Sequence, residues 1–200
     1  MISSDFKDKV IPVLAAVTSD PETLFLALND RYKSARAVIA ADVSELASIP
    51  GFSESTAIFL KTAFALGSRR VTDRFKFGRT HSEEEIIEYL KALLVCRANE
   101  AIYCLLLDDR KRVLSCEFIS EGTVDTSFPM PRKMLERAMN KKAKYIIIAH
   151  NHPEGEALAS ASDVEATRNI ALMLLEAGIN LICHYVISGD TFEKILPSDI

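Results

Sequence analysis

From about residue 83 onward, short apolar runs alternate with amphipathic stretches. Runs rich in β-branched and aromatic residues and bounded by turn residues predict strands over 100–109, 112–119, 145–149, 181–187 and 191–195. Apolar positions at helical spacing predict helices over 82–94, 132–142 and 162–177. A loop leading to a further short strand is predicted over 122–128. Strands interleaved with helices predict an α/β domain with a mixed sheet and flanking helices.

The first part of the chain has a different pattern, which predicts a small all-α domain. Short apolar-periodic segments at 10–17, 21–28 and 32–40 are separated by Asp, Ser and Pro. Two further helical segments, 43–48 and 54–70, flank a tight turn at Gly51. The polar, basic stretch 71–81, broken by Gly78, is interpreted as an interdomain linker. We therefore expect domains at 1–75 and 83–200.

Composition narrows the function classes. Hydrophobic residues make up 48% of the chain, enough for a substantial core. The formal net charge of −4 and the pI of about 5.6 give no global basicity that would favour nucleic acid. The N-terminus lacks the pattern of a signal peptide, and no apolar run approaches the roughly 20 residues of a membrane span. The expected location is cytoplasmic, without a membrane partner.

The four cysteines are expected to be free thiols. Cys96, Cys104, Cys116 and Cys183 show no CxxC spacing, which argues against a redox motif or a cysteine-based zinc site. Disulfides are rare in cytosolic proteins. Mostly buried, unpaired thiols are therefore the interpretation.

The predicted strand 145–149 runs into His150-Asn151-His152-Pro153. Residues i and i+2 of a strand share a face, so the imidazoles of His150 and His152 can point the same way. Asp163 follows where the next helix pattern begins. Two imidazoles and one carboxylate make a three-ligand divalent-metal site with an open fourth position, the arrangement of catalytic zinc. Manganese or iron could use the same ligand set.

Each part of this pattern also has a structural interpretation. A histidine at a strand end is commonly a packed or surface residue, and His-x-His alone is a weak motif. Ser160 and Asp163 have the spacing of a helix capping box, in which Ser and an acidic residue satisfy the first backbone N–H groups. Only the order and spacing of the whole set favour the metal site over these alternatives.

The spacing H-x-H-x(7)-S-x-x-D, filled by His150, His152, Ser160 and Asp163, resembles the signature of the JAMM (also MPN or JAB) metalloprotease-like domain. The longer run HNHPEGEALASASDVEAT is similar to the corresponding stretch of the bacterial RadC family. The similarity extends through 122–124 and 131–132 to His184. The segment 43–70 resembles the helix-hairpin-helix that RadC proteins carry before this domain.

The resemblance implies a zinc-dependent hydrolase that acts on a peptide or isopeptide bond, with one zinc per chain. It assigns His150, His152 and Asp163 as metal ligands. Glu100, at the head of the first core strand, matches the family glutamate that serves as general base and acid. Ser160 would stabilise the oxyanion. His184 and Asn151 are candidates for contacts to the metal ligands or to the substrate, and a packed strand histidine is the alternative for His184.

A second function stays open at this point, a DNA-associated, repair-linked accessory protein whose metal domain is structural or inactive. Backbone N–H groups at the Gly51 turn could meet a phosphate, and Lys61 follows in the next helix. In the family pattern the turn ends in a second glycine, but this chain has Ser53. Ser53 can still cap the helix, yet it hinders close approach of a DNA backbone, so at most weak DNA binding is expected. The sequence leaves the substrate, the metal identity and the oligomeric state open.

Overall fold

The computed structural model describes residues 4–32, 34–95, 97, 99–122, 129–153 and 155–199. The chain divides into two compact units, Met1–Thr72 and Asp73–Ile200. Each unit is described by itself below. The domain boundaries expected from the sequence, 1–75 and 83–200, stay a prediction about the protein in solution.

The N-terminal unit is helical, as predicted. Its helices are α1 (Ser4–Leu14), α2 (Pro21–Arg31), α3 (Ala35–Ala40), α4 (Val43–Ala47) and α5 (Glu54–Arg74). Phe25, Leu28, Leu46 and Leu60 are fully buried in one apolar cluster to which the helices contribute. Burial of apolar surface is the dominant favourable term in folding, so this cluster holds the short helices together.

The turn between α4 and α5 depends on glycine and serine. Gly51 has a φ of +87°, a region that glycine adopts without steric cost. A Cβ added there would lie 3.0 Å from a methyl of Leu24, so the turn also packs closely. The hydroxyl of Ser53 accepts the backbone N–H of Thr56 at 3.1 Å and thereby caps α5. The predicted helices on both sides of the turn are present.

The stretch 71–81, interpreted from the sequence as an interdomain linker, contains helical residues and one buried aromatic residue. Residues up to Arg74 continue α5. Phe75 is buried and stacks between His81 and Tyr89, with ring centroids 3.8 and 4.0 Å away. The N–H of Gly78 donates to the carbonyl of Val113 at 2.8 Å. Phe75, His81 and Gly78 therefore pack within the C-terminal unit, despite the polar composition of the stretch.

The C-terminal unit is an α/β fold built on a five-stranded mixed sheet, as predicted. Its helices are α6 (Glu83–Leu94), α7 (Pro129–Asn140) and α8 (Ala161–Glu176). Its strands are β1 (Ala101–Leu107), β2 (Val113–Glu121), β3 (Tyr145–Asn151), β4 (Asn180–Ser188) and β5 (Thr191–Ile195). The strand order is β2-β1-β3-β4-β5, with β3 and β4 parallel and the other pairs antiparallel.

Helices cover both faces of this sheet. Tyr103, Leu105 and Ile147 belong to the apolar cluster that includes α6. The alternate positions, such as Cys104 and Ile148, belong to the cluster that includes α7 and α8. Successive side chains of a strand point to opposite faces. Because both faces are covered, every residue of β1 is buried and its sequence is an unbroken apolar run.

One helix of this unit begins earlier than predicted, and one predicted strand falls outside the described residues. Helix α7 begins at Pro129, earlier than the predicted start near Pro131, because proline is tolerated throughout a first helical turn, where N–H groups have no helical partner. The strand predicted within 122–128 falls on 123–128, which lie outside the described residues.

The thiols agree with the prediction as far as they are described. Cys104, Cys116 and Cys183 are free, and burial raises the pKa of each. Cys96 lies outside the described residues. Among the described helices, none has the length and apolar character needed to cross a membrane.

Candidate metal centre

The candidate centre lies where β3 ends. His150 pairs with Ile102, near the start of β1, and with Val186, near the end of β4. It therefore lies near the end of both strand pairs. Glu100 immediately precedes β1, and the pleat places it on the same face as His150. Helix α8 covers this face and carries Asp163 in its first turn. Three separate elements thus bring four polar side chains together.

Glu100, His150, His152 and Asp163 each direct one ligand atom into a common space, and these atoms all lie within 4.8 Å of one another. The two imidazole Nε2 atoms of His150 and His152 are 3.0 Å apart. Asp163 Oδ1 lies 3.5 Å from His150 Nε2, and its Oδ2 lies 3.5 Å from His152 Nε2. Glu100 Oε1 is 3.7 Å from His150 Nε2. The sequence-predicted ligands therefore converge.

The hydrogen bonds on the outer ring nitrogens indicate which nitrogens carry protons. His152 Nδ1 is 3.1 Å from the carbonyl oxygen of Glu156, which can only accept, so Nδ1 is the donor. His150 Nδ1 bonds to His184 Nε2 at 2.7 Å. Burial lowers the pKa of His150 to about 4, so its ring is neutral at pH 7. If His150 also carries its proton on Nδ1, two unprotonated Nε2 atoms face each other.

The donor set fits a divalent cation. Two lone pairs 3.0 Å apart repel each other unless a cation lies near both, and carboxylates on either side supply compensating negative charge. Tetrahedral zinc with bonds of about 2.0–2.1 Å separates neighbouring ligand atoms by about 3.3–3.4 Å. The Asp163-to-imidazole distances of 3.5 Å are close to that spacing. His150, His152 and Asp163 are thus the residues that could hold the metal.

Ser160 and Asp163 form the helix capping box as well. Ser160 is the N-cap of α8, and its Oγ accepts the Asp163 N–H at 3.2 Å. The Ser160 hydroxyl and N–H donate to Asp163 Oδ2 at 2.6 and 2.8 Å. Burial opposes ionisation of Asp163, but these bonds and the nearby imidazoles outweigh it and hold its pKa below the usual range. The capping bonds orient the Asp163 carboxylate, and its role as a metal ligand stays a prediction.

Glu100 is held in place by Asn151. The buried Asn151 side chain accepts the N–H of Ala101 at 2.8 Å and donates to the carbonyl of Asn99 at 3.2 Å, one residue on either side of Glu100. Burial raises the pKa of Glu100, with the Asp163 carboxylate adding to the effect and His152 opposing it. Asn151, a sequence candidate for contact to the metal ligands or to the substrate, binds the backbone that carries Glu100, and its predicted role stays a prediction.

His184 is buried behind His150. Its Nε2 contacts His150 Nδ1, and its Nδ1 is 2.7 Å from the hydroxyl of Thr167 on α8. Burial lowers the pKa of His184 to about 3. Of its two predicted roles, contact to a metal ligand is the one that its position matches. Sequence reasoning missed Thr167, although a polar residue in the apolar stripe that continues with Ile170 and Leu174 was an available signal.

The candidate DNA-contacting residues lie in the N-terminal unit. Gly51 and Ser53 form the turn before α5, and the Ser53 hydroxyl is engaged in capping. The ammonium of Lys61 donates to the carbonyl of Ala41. Both side chains therefore make contacts within the fold, and the predicted DNA contacts stay predictions.

The mixed sheet, with an imidazole pair at the end of one strand and a carboxylate at the start of the following helix, defines a JAB-type α/β domain. A family model described as a RadC-like JAB domain matches residues 80–194. The chain belongs to this RadC-like JAB family.

The curated proteins to which the chain is similar include several UPF0758 proteins. The chain is 32% identical over 168 residues to a UPF0758 protein of Nitrosococcus oceani, covering 83% of this chain and 75% of the relative. It is 32% identical over 160 residues to a UPF0758 protein of Vibrio parahaemolyticus, covering 80% and 71%. A UPF0758 protein of Paraburkholderia xenovorans is 28% identical over 202 residues, covering 92% and 80%.

Proposed function

We propose that the protein is a metal-dependent hydrolase that cleaves amide or isopeptide bonds, with one zinc ion per chain held by His150, His152 and Asp163. The observation that carries the proposal is the facing pair of imidazole Nε2 atoms, 3.0 Å apart, between the carboxylates of Asp163 and Glu100. Three protein ligands leave a coordination position open, the feature that distinguishes catalytic from structural zinc sites.

When bound, zinc polarises a carbonyl and lowers the pKa of a coordinated water to about 7. The protein supplies the proton transfer. Glu100 accepts the proton from the attacking water and delivers it to the leaving amine, acting as general base and then as general acid. Its burial supports this role, because a carboxyl group with a raised pKa holds a proton more readily at neutral pH.

Ser160 is the proposed oxyanion donor. Its hydroxyl donates to Asp163 Oδ2 in the described structure, so it must exchange that bond for one to the substrate oxygen. The Ser160 N–H also donates to Oδ2 and would keep the carboxylate oriented during the exchange. Removal of one oxyanion donor typically costs about 3–4 kcal/mol of transition-state stabilisation.

The proposal is tested with Glu100→Gln, which keeps the side-chain shape and removes the base. Wild-type protein loaded with zinc is first assayed on a panel of peptides and isopeptide conjugates to find a cleaved substrate. Glu100→Gln is expected to keep its zinc and its melting temperature, and to lose turnover by ~10²-fold or more. Glu117→Gln on β2 makes the same chemical change in the same sheet, and it is expected to retain activity.

Two results would count against the proposed roles. If Glu100→Gln cleaves the substrate as fast as wild type, Glu100 is not the base. If it loses the zinc, Glu100 is a fourth ligand, and the site is closed and structural. The distance of 3.7 Å from Glu100 to His150 Nε2 is compatible with either position, so the variant decides between them.

The DNA-associated alternative has less support. The Gly51 turn is consistent with it, but the Ser53 and Lys61 side chains already contact the protein. We propose weak binding at most, confined to the N-terminal unit and falling steeply with salt because phosphate contacts release counterions. Titration of fluorescent duplex DNA at rising salt tests this. Tight binding that persists in a Lys61→Ala variant and at high salt would contradict it.

A further inference from the structure

A chain of buried hydrogen bonds runs from α8 through β4 to β3 behind the candidate centre. The Thr167 hydroxyl lies 2.5 Å from the backbone carbonyl of Asp163 and 2.7 Å from His184 Nδ1. His184 Nε2 then lies 2.7 Å from His150 Nδ1. Thr167, His184 and His150 are all buried, so within this chain they satisfy one another.

The carbonyl at the end of the chain fixes its direction. A carbonyl oxygen has no proton, so the 2.5 Å contact between two oxygens requires the Thr167 hydroxyl to donate to Asp163. Having used its only hydrogen, the hydroxyl can only accept from His184, which must carry its proton on Nδ1. A neutral His184 then presents a lone pair on Nε2, and His150 must donate to it from Nδ1.

The consequence reaches the candidate ligand atom. A neutral imidazole with its proton on Nδ1 has its lone pair on Nε2, and His150 Nε2 is the atom that faces His152 and Asp163. The opposite tautomer would place a proton in the space where a cation binds. The same chain joins the helix that carries Asp163 to the strand that carries His150, because Thr167 bonds to the Asp163 carbonyl itself.

We infer that Thr167 is a positioning residue of the metal centre, which acts through His184 to hold His150 in the tautomer whose Nε2 can bind a cation. The inference rests on the proposed metal function for its purpose, but the tautomer is a property of the metal-free protein. Partners of metal-ligating histidines typically change metal affinity by about 10–100-fold when they are removed.

The matched variants are Thr167→Val and Thr167→Ser. Valine keeps the shape of threonine and lacks the hydroxyl, so His184 Nδ1–H loses its acceptor. Serine keeps the hydroxyl and loses the methyl group, which separates the hydrogen bond from packing. Thr72→Val in α5 is the control, because the Thr72 hydroxyl also donates to a carbonyl of its own helix, that of Arg69, outside the metal centre.

The first measurement is the ¹⁵N spectrum of the imidazoles in the metal-free, ¹⁵N-histidine-labelled 200-residue chain, which has four histidines. Wild type and Thr167→Ser are expected to show His150 and His184 protonated on Nδ1. Thr167→Val is expected to populate the Nε2-protonated form of both rings. A wild-type spectrum with the His150 proton on Nε2 would overturn the inference, even if Thr167→Val did not fold.

The second measurement is zinc affinity by competition with a chromophoric chelator. Thr167→Val is expected to bind about 10–100-fold more weakly than wild type, while Thr167→Ser and Thr72→Val stay within a few-fold. Thr167→Val with wild-type affinity and wild-type tautomers would overturn the role. Absence of zinc binding by wild type would instead refute the proposed metal function, and the tautomer result would still test the hydrogen-bond chain.

Discussion

The two units of the chain differ in what they bury. In the described part of the N-terminal unit, every buried side chain is apolar. The described C-terminal unit buries five polar or charged residues as well: Asp108, His150, Asn151, Thr167 and His184. A buried polar group without a partner costs about 1–3 kcal/mol, so this unit must supply hydrogen bonds that the other does not need.

The positions of these polar groups connect burial with function. Asp108 holds the hairpin between β1 and β2 by accepting the N–H groups of Arg110 and Arg112 at 3.0 and 2.8 Å. The other four lie at or behind the candidate metal centre, and each has hydrogen-bond partners. The described N-terminal unit buries only apolar side chains, whereas the described C-terminal unit also buries polar side chains, four of which lie at or behind the candidate metal centre.

The largest expected effect on stability comes from the packed unit. Leu28→Ala removes a fully buried side chain from its core and is expected to lower the free energy of unfolding by about 2–5 kcal/mol. Zinc content and hydrolytic rate at low temperature should stay at wild-type values. Denaturant unfolding and elemental analysis check both. A loss of zinc in Leu28→Ala would break the distinction between a packed unit and a metal-binding unit.

Removal of the metal is expected to lower the thermal stability of the C-terminal unit only. If 1–75 and 83–200 fold separately, calorimetry of the full chain shows two transitions, of which Leu28→Ala identifies one. A ligand at 100 times its Kd stabilises the native state by about 2.7 kcal/mol, so chelator should lower the second transition alone. Equal shifts of both transitions, or a single transition that responds to both changes, would contradict the division.

A smaller effect is expected at Asn151, which bonds to the backbone on both sides of Glu100. Asn151→Ala leaves the Ala101 N–H without its partner and should cost about 1–3 kcal/mol of stability. Turnover should fall while zinc content is retained, because Glu100 loses its support and the ligands do not. Asn180→Ala, an exposed asparagine at the start of β4, is the control. Unchanged turnover in Asn151→Ala would contradict the expected role of Asn151 in positioning Glu100.

Local patterns made the core of the site predictable. The alternation of a strand gives His150 and His152 a common face, and the capping box marks where α8 begins, so neither depends on distant residues. The family resemblance supplied Glu100, which no local pattern connects with the histidines. The α/β class followed from the order of strands and helices.

Features that depend on register and tertiary packing were not predictable. Thr167 reaches His184 only because β4 runs parallel to β3 with His184 beside Ile148. Sequence patterns do not determine such a register. The sequence alone therefore does not distinguish Thr167 from the other residues of an amphipathic helix. The packing of residues within 71–81 was not predictable for a similar reason. The polar composition of this stretch gave no indication that Phe75 is buried, because its stacking partners His81 and Tyr89 come later in the chain.

The central claim is that two imidazoles and one carboxylate of the C-terminal unit hold one divalent ion. The most direct test is the metal content of the purified full chain, prepared without chelator, for wild type, His150→Ala and Asp163→Ala. His81→Ala, which removes a histidine outside the centre, is the control. We expect about one zinc per chain in wild type and control and a much smaller content in the two ligand variants. Equal metal content in all four proteins, or none in wild type, would contradict the account.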